Sequence, residues 1–343
     1  MPRAPRSPPR PPPDPRRRRA NGSPAGPAEA RAPTHPAPHG TGPGTAVPRP
    51  HGPSRKGDHV PRFDTTAPVG VDVTLDVGAV HVIADGAGAA AVTVNPADPE
   101  RAADVQAADR AEVELVDDRL VVRTSETRRL GKLVGPNART GAVDVVLEVP
   151  EGVALHVTGH VVAVRVDGPI GAARIRTGVG AIHLDRTADV SARTGSGDVT
   201  VADIDGGGKL HGAGTIRVGA ARGSLEVKNQ HGPIEIGAAT GSVRLRSAVG
   251  DVTVDTVSGE VDARTSAGSI TIARAVSGTL DLRTATGDVR VGVPEGTSVH
   301  LDATTRFGRI DRQLSASDGP ADGDRRAAIT AHTGAGDVVL HRA

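Results

Sequence analysis

Residues 244 to 290 read RLRSAVGDVTVDTVSGEVDARTSAGSITIARAVSGTLDLRTATGDVR, in which one unit of about 18 residues is written nearly three times. Aligned on one glycine per unit, the pattern continues in both directions. The aligned glycines are Gly180, Gly197, Gly214, Gly232, Gly250, Gly268, Gly287, Gly308 and Gly336, with spacings of 17, 17, 18, 18, 18, 19, 21 and 28 residues. A repeat this short and regular predicts a solenoid in which each unit forms one coil.

Within each unit, aliphatic residues stand two and four places after the glycine, and the residue between them is mostly polar; Arg312 is the exception at the fourth place. This period of two predicts a strand with one buried face. A second strand precedes the glycine, as in Val243-Arg244-Leu245-Arg246. The residues expected to face inward and to carry the fold include Val252, Val254, Ile270, Ile272, Val289 and Val291.

One such coil cannot be stable alone. Its three or four inward aliphatic side chains contribute about 1.5–3 kcal/mol each, whereas ordering the backbone costs about 1–2 kcal/mol per residue. Only stacking, with parallel hydrogen bonds between coils about 4.8 Å apart, offsets that cost. The predicted fold class is therefore all-β, a β-solenoid or β-helix-like stack of two-strand coils of about 17–19 residues, with one short helix and a hairpin near the N-terminal end.

The composition fits a thin core and excludes several kinds of site. The chain has 343 residues, two Phe, no Trp, no Tyr and no Cys. Without Cys, neither a disulfide nor a thiolate metal site can form, and the 13 His show no metal-ligand spacing. Asp198, Asp251, Asp288 and Asp337 follow their glycines, but the complete calcium-binding repeat is absent, so we interpret them as turn residues. We expect no metal, cofactor or catalytic residue.

The first 62 residues differ from the rest. They hold 18 of the 27 prolines and, with twelve Lys/Arg against three Asp/Glu, a net charge of +9, which leaves −8 for residues 63–343. This composition predicts a disordered tail. The sequence shows neither a signal-peptide apolar region nor a run of about 18 apolar residues that could span a membrane. A cytoplasmic location is the expectation.

Residues 63–152 are expected to begin the solenoid. Two strands should meet at Gly78, and Val92-Thr93-Val94 should form another. Asp98 as N-cap and Pro99 at the first position predict a helix to Asp109, followed by a hairpin that turns at Asp117-Asp118.

The region continues with a loop and a final strand, and the repeats follow from residue 153. We expect a mobile loop over 125–140 and a strand over 143–149. The turn Val149-Pro150-Glu151-Gly152 recurs word for word as Val293-Pro294-Glu295-Gly296. The repeats occupy 153–343, beginning with a weaker unit at Val162, and an insertion over 312–326 should loop out of the stack.

FDTTAPV near residue 63, the segment NPADPERAADVQAAD, and the iterated TGSGDVTV and TATGDVRV resemble the DUF4097 family of β-strand-repeat proteins, labelled "putative adhesin". The resemblance covers about residues 60 to 343. It implies a β-solenoid without an established reaction.

Two columns of side chains are candidate sites. Three places before the glycines stand Thr177, Thr194, His211, Asn229, Ser247, Thr265, Thr284, Thr305 and Thr333. We interpret them as a hydrogen-bonding ladder at the corner of the coil, with a flat array for ice or glycan binding as the alternative. On the outer face run Arg176, Arg193, Lys228, Arg246, Arg264 and Arg283. They are a candidate binding column for an anionic polymer, with cross-strand ion pairing to Glu226, Asp262 and Asp281 as the alternative.

The predicted function is non-enzymatic: a scaffold or binding surface for a protein or glycan partner. Nucleic-acid binding by the solenoid is disfavoured, because the repeat region is net negative and almost lacks aromatic residues. A β-helix enzyme acting on polysaccharide is the competing hypothesis, and a groove with two carboxylates about 5–10 Å apart would favour it. End-to-end self-association through unpaired solenoid edges is the third.

Overall fold

The computed structural model of the chain describes residues 62–63, 70–86, 90–124, 141–314 and 325–343. The predicted disordered tail, except for Arg62, and the predicted mobile loop over 125–140 lie outside these residues. So does the middle of the predicted insertion, residues 315–324.

One helix, α1, spans Ala102–Asp109. The strands are β1 Arg62–Phe63, β2 Gly70–Ala84, β3 Ala90–Pro96, β4 Ala111–Val116, β5 Arg119–Thr124, β6 Val143–Val149, β7 Ala154–Val179, β8 Ile182–Ser196, β9 Val199–Ile204, β10 Gly208–Gly212, β11 Ile216–Ala221 and β12 Leu225–His231. They continue as β13 Ile234–Ala239, β14 Ser242–Val249, β15 Val252–Val257, β16 Glu260–Ala267, β17 Ile270–Ala275, β18 Gly278–Thr286, β19 Val289–Val293, β20 Thr297–Phe307, β21 Ile310–Arg312, β22 Arg325–Ala335 and β23 Val338–Arg342.

The strands form the predicted β-solenoid, with two strands per coil. The strand before each glycine pairs in parallel with its equivalent in the next coil, as β14 does with β16, and the strand after it does the same, as β15 does with β17. Val252 lies beside Ile270, and Val254 lies beside Ile272. The six residues predicted to face inward are all buried, with at most 1% of their surface exposed. The aliphatic pattern therefore identified the core correctly.

The aligned glycines form the corner between the two strands of a coil. Gly250 has φ +141°, and a Cβ atom there would collide with the backbone carbonyl of Gly232 in the preceding coil. Only glycine combines this conformation with so close a stacking of corners. Gly214 is the exception among the aligned glycines, since its φ is not positive.

The N-terminal end of the stack is capped by antiparallel strands. β3 pairs with β6, and β4 pairs with β5 in the predicted hairpin. Asp117 and Asp118 both have positive φ, 49° and 57°, as a tight hairpin turn requires. The helix is shorter than predicted, because Asp98 accepts a hydrogen bond from the Glu100 N–H at 2.9 Å in a separate turn and Arg101 becomes the N-cap. Within the described ranges, no helix has the length and apolar content needed to cross a membrane.

The order of coils in space differs from their order in the chain at this end. β2 lies between β5 and β7 through its first half, and between β6 and β7 through its second half. The first coil of the stack therefore consists of β5 and β6, although β2 precedes both in sequence. In the third coil Val162 lies beside Gly78, which confirms that the weaker repeat at Val162 is a coil.

The same exchange occurs at the C-terminal end. β22 lies between β18 and β20, and β23 lies between β19 and β21. Side-chain hydrogen bonds follow the same spatial order of coils. Asp288 Oδ1 accepts a hydrogen bond from the Asp337 N–H, and Asp337 Oδ1 accepts one from the Arg309 N–H, both at 2.8 Å. The coil that follows the insertion thus fills a gap inside the stack. Arg312, the exception in the inward pattern, belongs to the outermost coil and is exposed.

The duplicated VPEG turn marks the two positions where the chain skips a coil. Residues 149–152 lead from β6 to β7, past the intervening coil of β2, and residues 293–296 lead from β19 to β20, past the place later filled by β22 and β23. The glycines that end the two turns have similar left-handed φ values, 76° at Gly152 and 69° at Gly296. Each turn spans two coil spacings, about 10 Å, instead of one.

We predict that Val254→Asp destabilises the protein by more than about 3 kcal/mol, because it places a carboxylate in an apolar core that offers it no partner. Since a coil depends on its neighbours, several coils should unfold together in a thermal melt followed by circular dichroism. Arg264→Ala, at an exposed ion pair, should shift the melting temperature little. Thr200→Asp places the same new residue on an outward position between His183 and Arg217 and is the matched control. Equal melting temperatures for Val254→Asp and the controls would contradict the inward assignment.

A second prediction concerns the corners. Gly250→Ala should lower the urea midpoint strongly, because it adds a collision with the Gly232 carbonyl to the strain of a positive φ. Gly152→Ala also has a positive φ, 76°, but its new Cβ meets no atom within 4 Å. It should cost only the left-handed strain, about 1–2 kcal/mol. A smaller loss of stability for Gly250→Ala than for Gly152→Ala would show that coil spacing at the corner is not limiting.

Candidate functional site

Two parallel rows of outward side chains run along the strands that precede the glycine corners. The first row contains, in adjacent coils, Arg176, Arg193, His211, Lys228, Arg246, Arg264 and Arg283. The second contains Arg174, Ser191, Lys209, Glu226, Arg244, Asp262 and Asp281. Every residue in the predicted basic column lies in the first row, so the structure brings all six onto one face, about 4.8 Å apart from coil to coil.

The structure adds residues that the sequence alignment missed. His211 had been aligned with the threonine column, but it lies between Arg193 and Lys228, and Gly212 takes the place beside Asn229. The reason is that this coil has one residue fewer between column and corner than its neighbours. Arg174 and Lys209 are cations of the second row, which lies two residues before the first row in each coil.

The C-terminal part of this face is neutralised by its own carboxylates. Asp262 accepts hydrogen bonds from Arg246 at 2.7 and 3.1 Å and lies 3.3 Å from Arg264 and 3.8 Å from Arg244. Partial burial acts to raise the pKa of Asp262, but the hydrogen bonds from Arg246 and the surrounding charges outweigh it and hold the pKa below its usual value. Asp281 pairs with Arg283 and Arg264. Here the ion-pairing interpretation of the column is correct.

The N-terminal part is different. Arg174, Arg176, Arg193 and Lys209, which we call the basic patch, are exposed and have no hydrogen-bond or ion-pair partner among the described residues. Arg176 lies directly beside Arg193. Like charges on neighbouring strands repel each other, so the patch is a local cost to stability on a region whose net charge is −8.

His211 borders the basic patch. Partial burial, together with the positive charges of Lys228 and Arg193, lowers its pKa. The shift agrees with a positive potential on this face, because a neighbouring cation disfavours a second one.

A shallow groove of about 230 Å³ extends the basic patch toward the N-terminal cap. Its rim carries Arg174 together with Arg119 and His156, and both of the latter contact Asp72, at 2.8 and 3.2 Å. The small side chains of Ala154 and Ala172 line the groove.

The threonine column is buried and cannot be a flat binding array. Thr177, Thr194, Thr265, Thr284 and Thr333 are at most 7% exposed. The Thr194 hydroxyl lies 3.0 Å from the carbonyls of both Gly180 and Ser196. In its own coil, Asn229 takes the place of the threonine, and its side-chain amide donates hydrogen bonds to the carbonyls of Gly214 at 2.8 Å and Gly232 at 2.9 Å. These side chains satisfy the corner backbone, as the ladder interpretation predicted.

The aspartates that follow the glycines also accept hydrogen bonds from backbone N–H groups. Asp198 Oδ1 accepts from the Thr215 N–H at 2.7 Å, and Asp251 Oδ1 accepts from the Ser269 N–H at 2.8 Å, in each case across to the next coil. In the described part of the chain, no group of three or more His, Asp or Glu is arranged to hold a metal ion.

A second groove, of about 460 Å³, crosses the opposite face above Ala202, Gly219 and Gly237. It contains two carboxylates, Glu235 and Asp255. Glu235 is ion-paired with Arg217 at 2.7 Å, and neither carboxylate is buried. The groove does not give either group the apolar surroundings of a catalytic acid.

Comparison with solved structures finds similar chains at low identity. A "putative adhesin" of Bacteroides fragilis is 12% identical, with 84% of this chain and 98% of that chain covered and a TM-score of 0.33. A "putative adhesin" of Parabacteroides merdae is 10% identical, with 82% and 95% covered and a TM-score of 0.32. A "putative cell adhesion protein" of Clostridium sporogenes is 8% identical, with 83% and 100% covered and a TM-score of 0.24.

A search of the curated proteins found no match. The family model described as Toastrack DUF4097 matches residues 78–341, from the first glycine corner of the chain to the last coil. The chain belongs to the Toastrack DUF4097 family.

Proposed function

We propose that the protein is a non-catalytic binding scaffold whose basic patch holds an acidic polysaccharide along the solenoid. The observation that carries the proposal is the set of four exposed cations, Arg174, Arg176, Arg193 and Lys209, none of which forms an ion pair with a described residue. Glu226 lies beside Lys209, but its carboxylate is ion-paired with Lys228. Elsewhere on the same face the arginines are paired with Asp262 and Asp281. An external polyanion would supply the missing negative charge.

The geometry favours a regular polymer over a folded protein. The cations repeat at the coil spacing, about 4.8 Å, and the guanidinium group binds a carboxylate or sulfate through two parallel hydrogen bonds. A protein interface needs buried aromatic or large apolar anchors at its centre. The two rows of this face contain none. Bases of a nucleic acid likewise find no aromatic side chain there on which to stack.

The test compares binding of the full chain to polygalacturonate, dextran sulfate and neutral dextran by isothermal titration calorimetry. We expect binding to the two acidic polymers only, and an affinity that falls as salt rises, because binding releases counterions. Arg176→Gln/Arg193→Gln should weaken binding at least about tenfold, which corresponds to about 1.4 kcal/mol. Its melting temperature should stay equal or rise, because a like-charge contact is removed.

The matched control is Arg217→Gln/Arg290→Gln, which makes the same change in charge on the other outer face, at two exposed and ion-paired arginines. It should alter affinity less than about twofold. The basic N-terminal residues are present in every variant and so contribute equally. Equal weakening by both double variants would reject the site. Tighter binding to polyglutamate or single-stranded DNA than to either polysaccharide would reject the polysaccharide as partner.

A further inference from the structure

The two ends of the solenoid differ in whether other strands cover their edge strands. At the N-terminal end, the parallel edge strands β5 and β6 are covered by the antiparallel strands β4 and β3. At the C-terminal end, the outermost coil consists of β20 and the short β21, which pair only with β22 and β23; the longer edge strand is β20, with 11 residues. Within the described ranges, nothing pairs with its outer edge.

The backbone groups on that edge can be assigned. The Gly296 carbonyl, just before β20, accepts a hydrogen bond from the Arg325 N–H at 3.1 Å, so residue 296 turns its polar groups toward β22. Successive residues of a strand alternate in this direction. The N–H and C=O groups of residues 297, 299, 301, 303 and 305 therefore face outward, as an edge that can accept another strand; the alternation shifts after Thr305, where the register with β22 passes directly to Phe307.

The usual protection of such an edge is missing. β20 contains neither Pro nor Lys, and its only charges, at Asp302 and Arg306, cancel. The inward residues Val299, Leu301 and Ala303 are only partly buried. Phe307 is 76% exposed. Ile310, in the same outermost coil, is 41% exposed, so the open end exposes more than one large apolar residue.

We infer that β20 pairs in antiparallel fashion with β20 of a second copy, across a twofold axis at Thr304. In this register Asp302 lies opposite Arg306 of the other copy, and symmetry produces the pair twice. Ala303 and Thr305, whose polar groups face outward, then hydrogen-bond to Thr305 and Ala303 of the other copy. Centring the axis on Asp302 or on Arg306 would instead place like charges directly opposite each other, which is destabilising.

The same features favour a closed dimer over a filament. A filament needs the C-terminal end of one copy to dock on the N-terminal end of the next. The outer strand there, β4, has six residues and carries Glu112 and Glu114, a short charged edge that resists pairing. A twofold contact between two C-terminal ends uses up both open edges and stops.

The first experiment is size-exclusion chromatography with light scattering on the full chain over a range of concentrations. We expect a dimer that Asp302→Arg or Arg306→Asp weakens at least about tenfold. Combining the two substitutions should restore it, because the opposite-charge pairs re-form. The control pair Arg217→Glu/Glu235→Arg, on a face away from the end, should leave the dimer unchanged.

The second experiment tests the register by disulfide cross-linking. Because the chain contains no native Cys, any disulfide must join the introduced residues. Thr304→Cys places two thiols on the twofold axis in a non-hydrogen-bonded pair with Cα atoms about 4.5 Å apart, which suits a disulfide. Mild oxidation should give a covalent dimer. Ser298→Cys, on the same strand, should not cross-link, since its two copies lie more than about 25 Å apart.

A strict monomer at all concentrations, a ladder of higher oligomers, or failure of the charge exchange to restore the dimer would each overturn the inference. A monomer in which Thr304→Cys stays reduced would overturn it as well.

Discussion

Hydrogen bonds between the backbones of neighbouring coils are the interaction on which every other feature depends. They hold equivalent residues side by side, as with Val252 and Ile270, so a residue type that recurs in the sequence becomes a continuous row in space. Inward rows form the core, and outward rows form the surface. Because a row of like side chains also concentrates their charge, the parallel stacking that stabilises the fold makes a line of repulsive cations possible.

The fold was predictable because its signals are local. The alternation at Val252 and Val254 and the glycine at the corner each describe one coil, and the coils are nearly identical. The similarity of the coils also explains which features could not be predicted. The edges of any two coils offer equivalent backbone groups, so nothing in the sequence states that β22 should lie between β18 and β20. His211 was misplaced because one missing residue shifts the alignment without changing the pattern.

The candidate site was predictable as a column but not as a patch. Whether an arginine is free or paired depends on the row beside it, which comes from registers between coils. Asp262 serves three arginines at once, whereas Arg176 and Arg193 have Arg174, Ser191, Lys209 and His211 as neighbours. Natural proteins accept such a loss of stability where a surface has a binding role, and this contrast within one face supports the proposal of an external anion.

The exchanged coils at the C-terminal end have a consequence for how the molecule comes apart. In a solenoid stacked in chain order, the last coil can fray from the terminus at small cost. Here β22 and β23 have neighbouring strands on both sides, so releasing either strand means breaking two ladders at once. The outermost coil, in turn, is tethered to the stack at both of its ends. A pulling force applied to β23 therefore acts on an interior coil, and the resistance to it is set by the unfolding rate of the whole end of the solenoid.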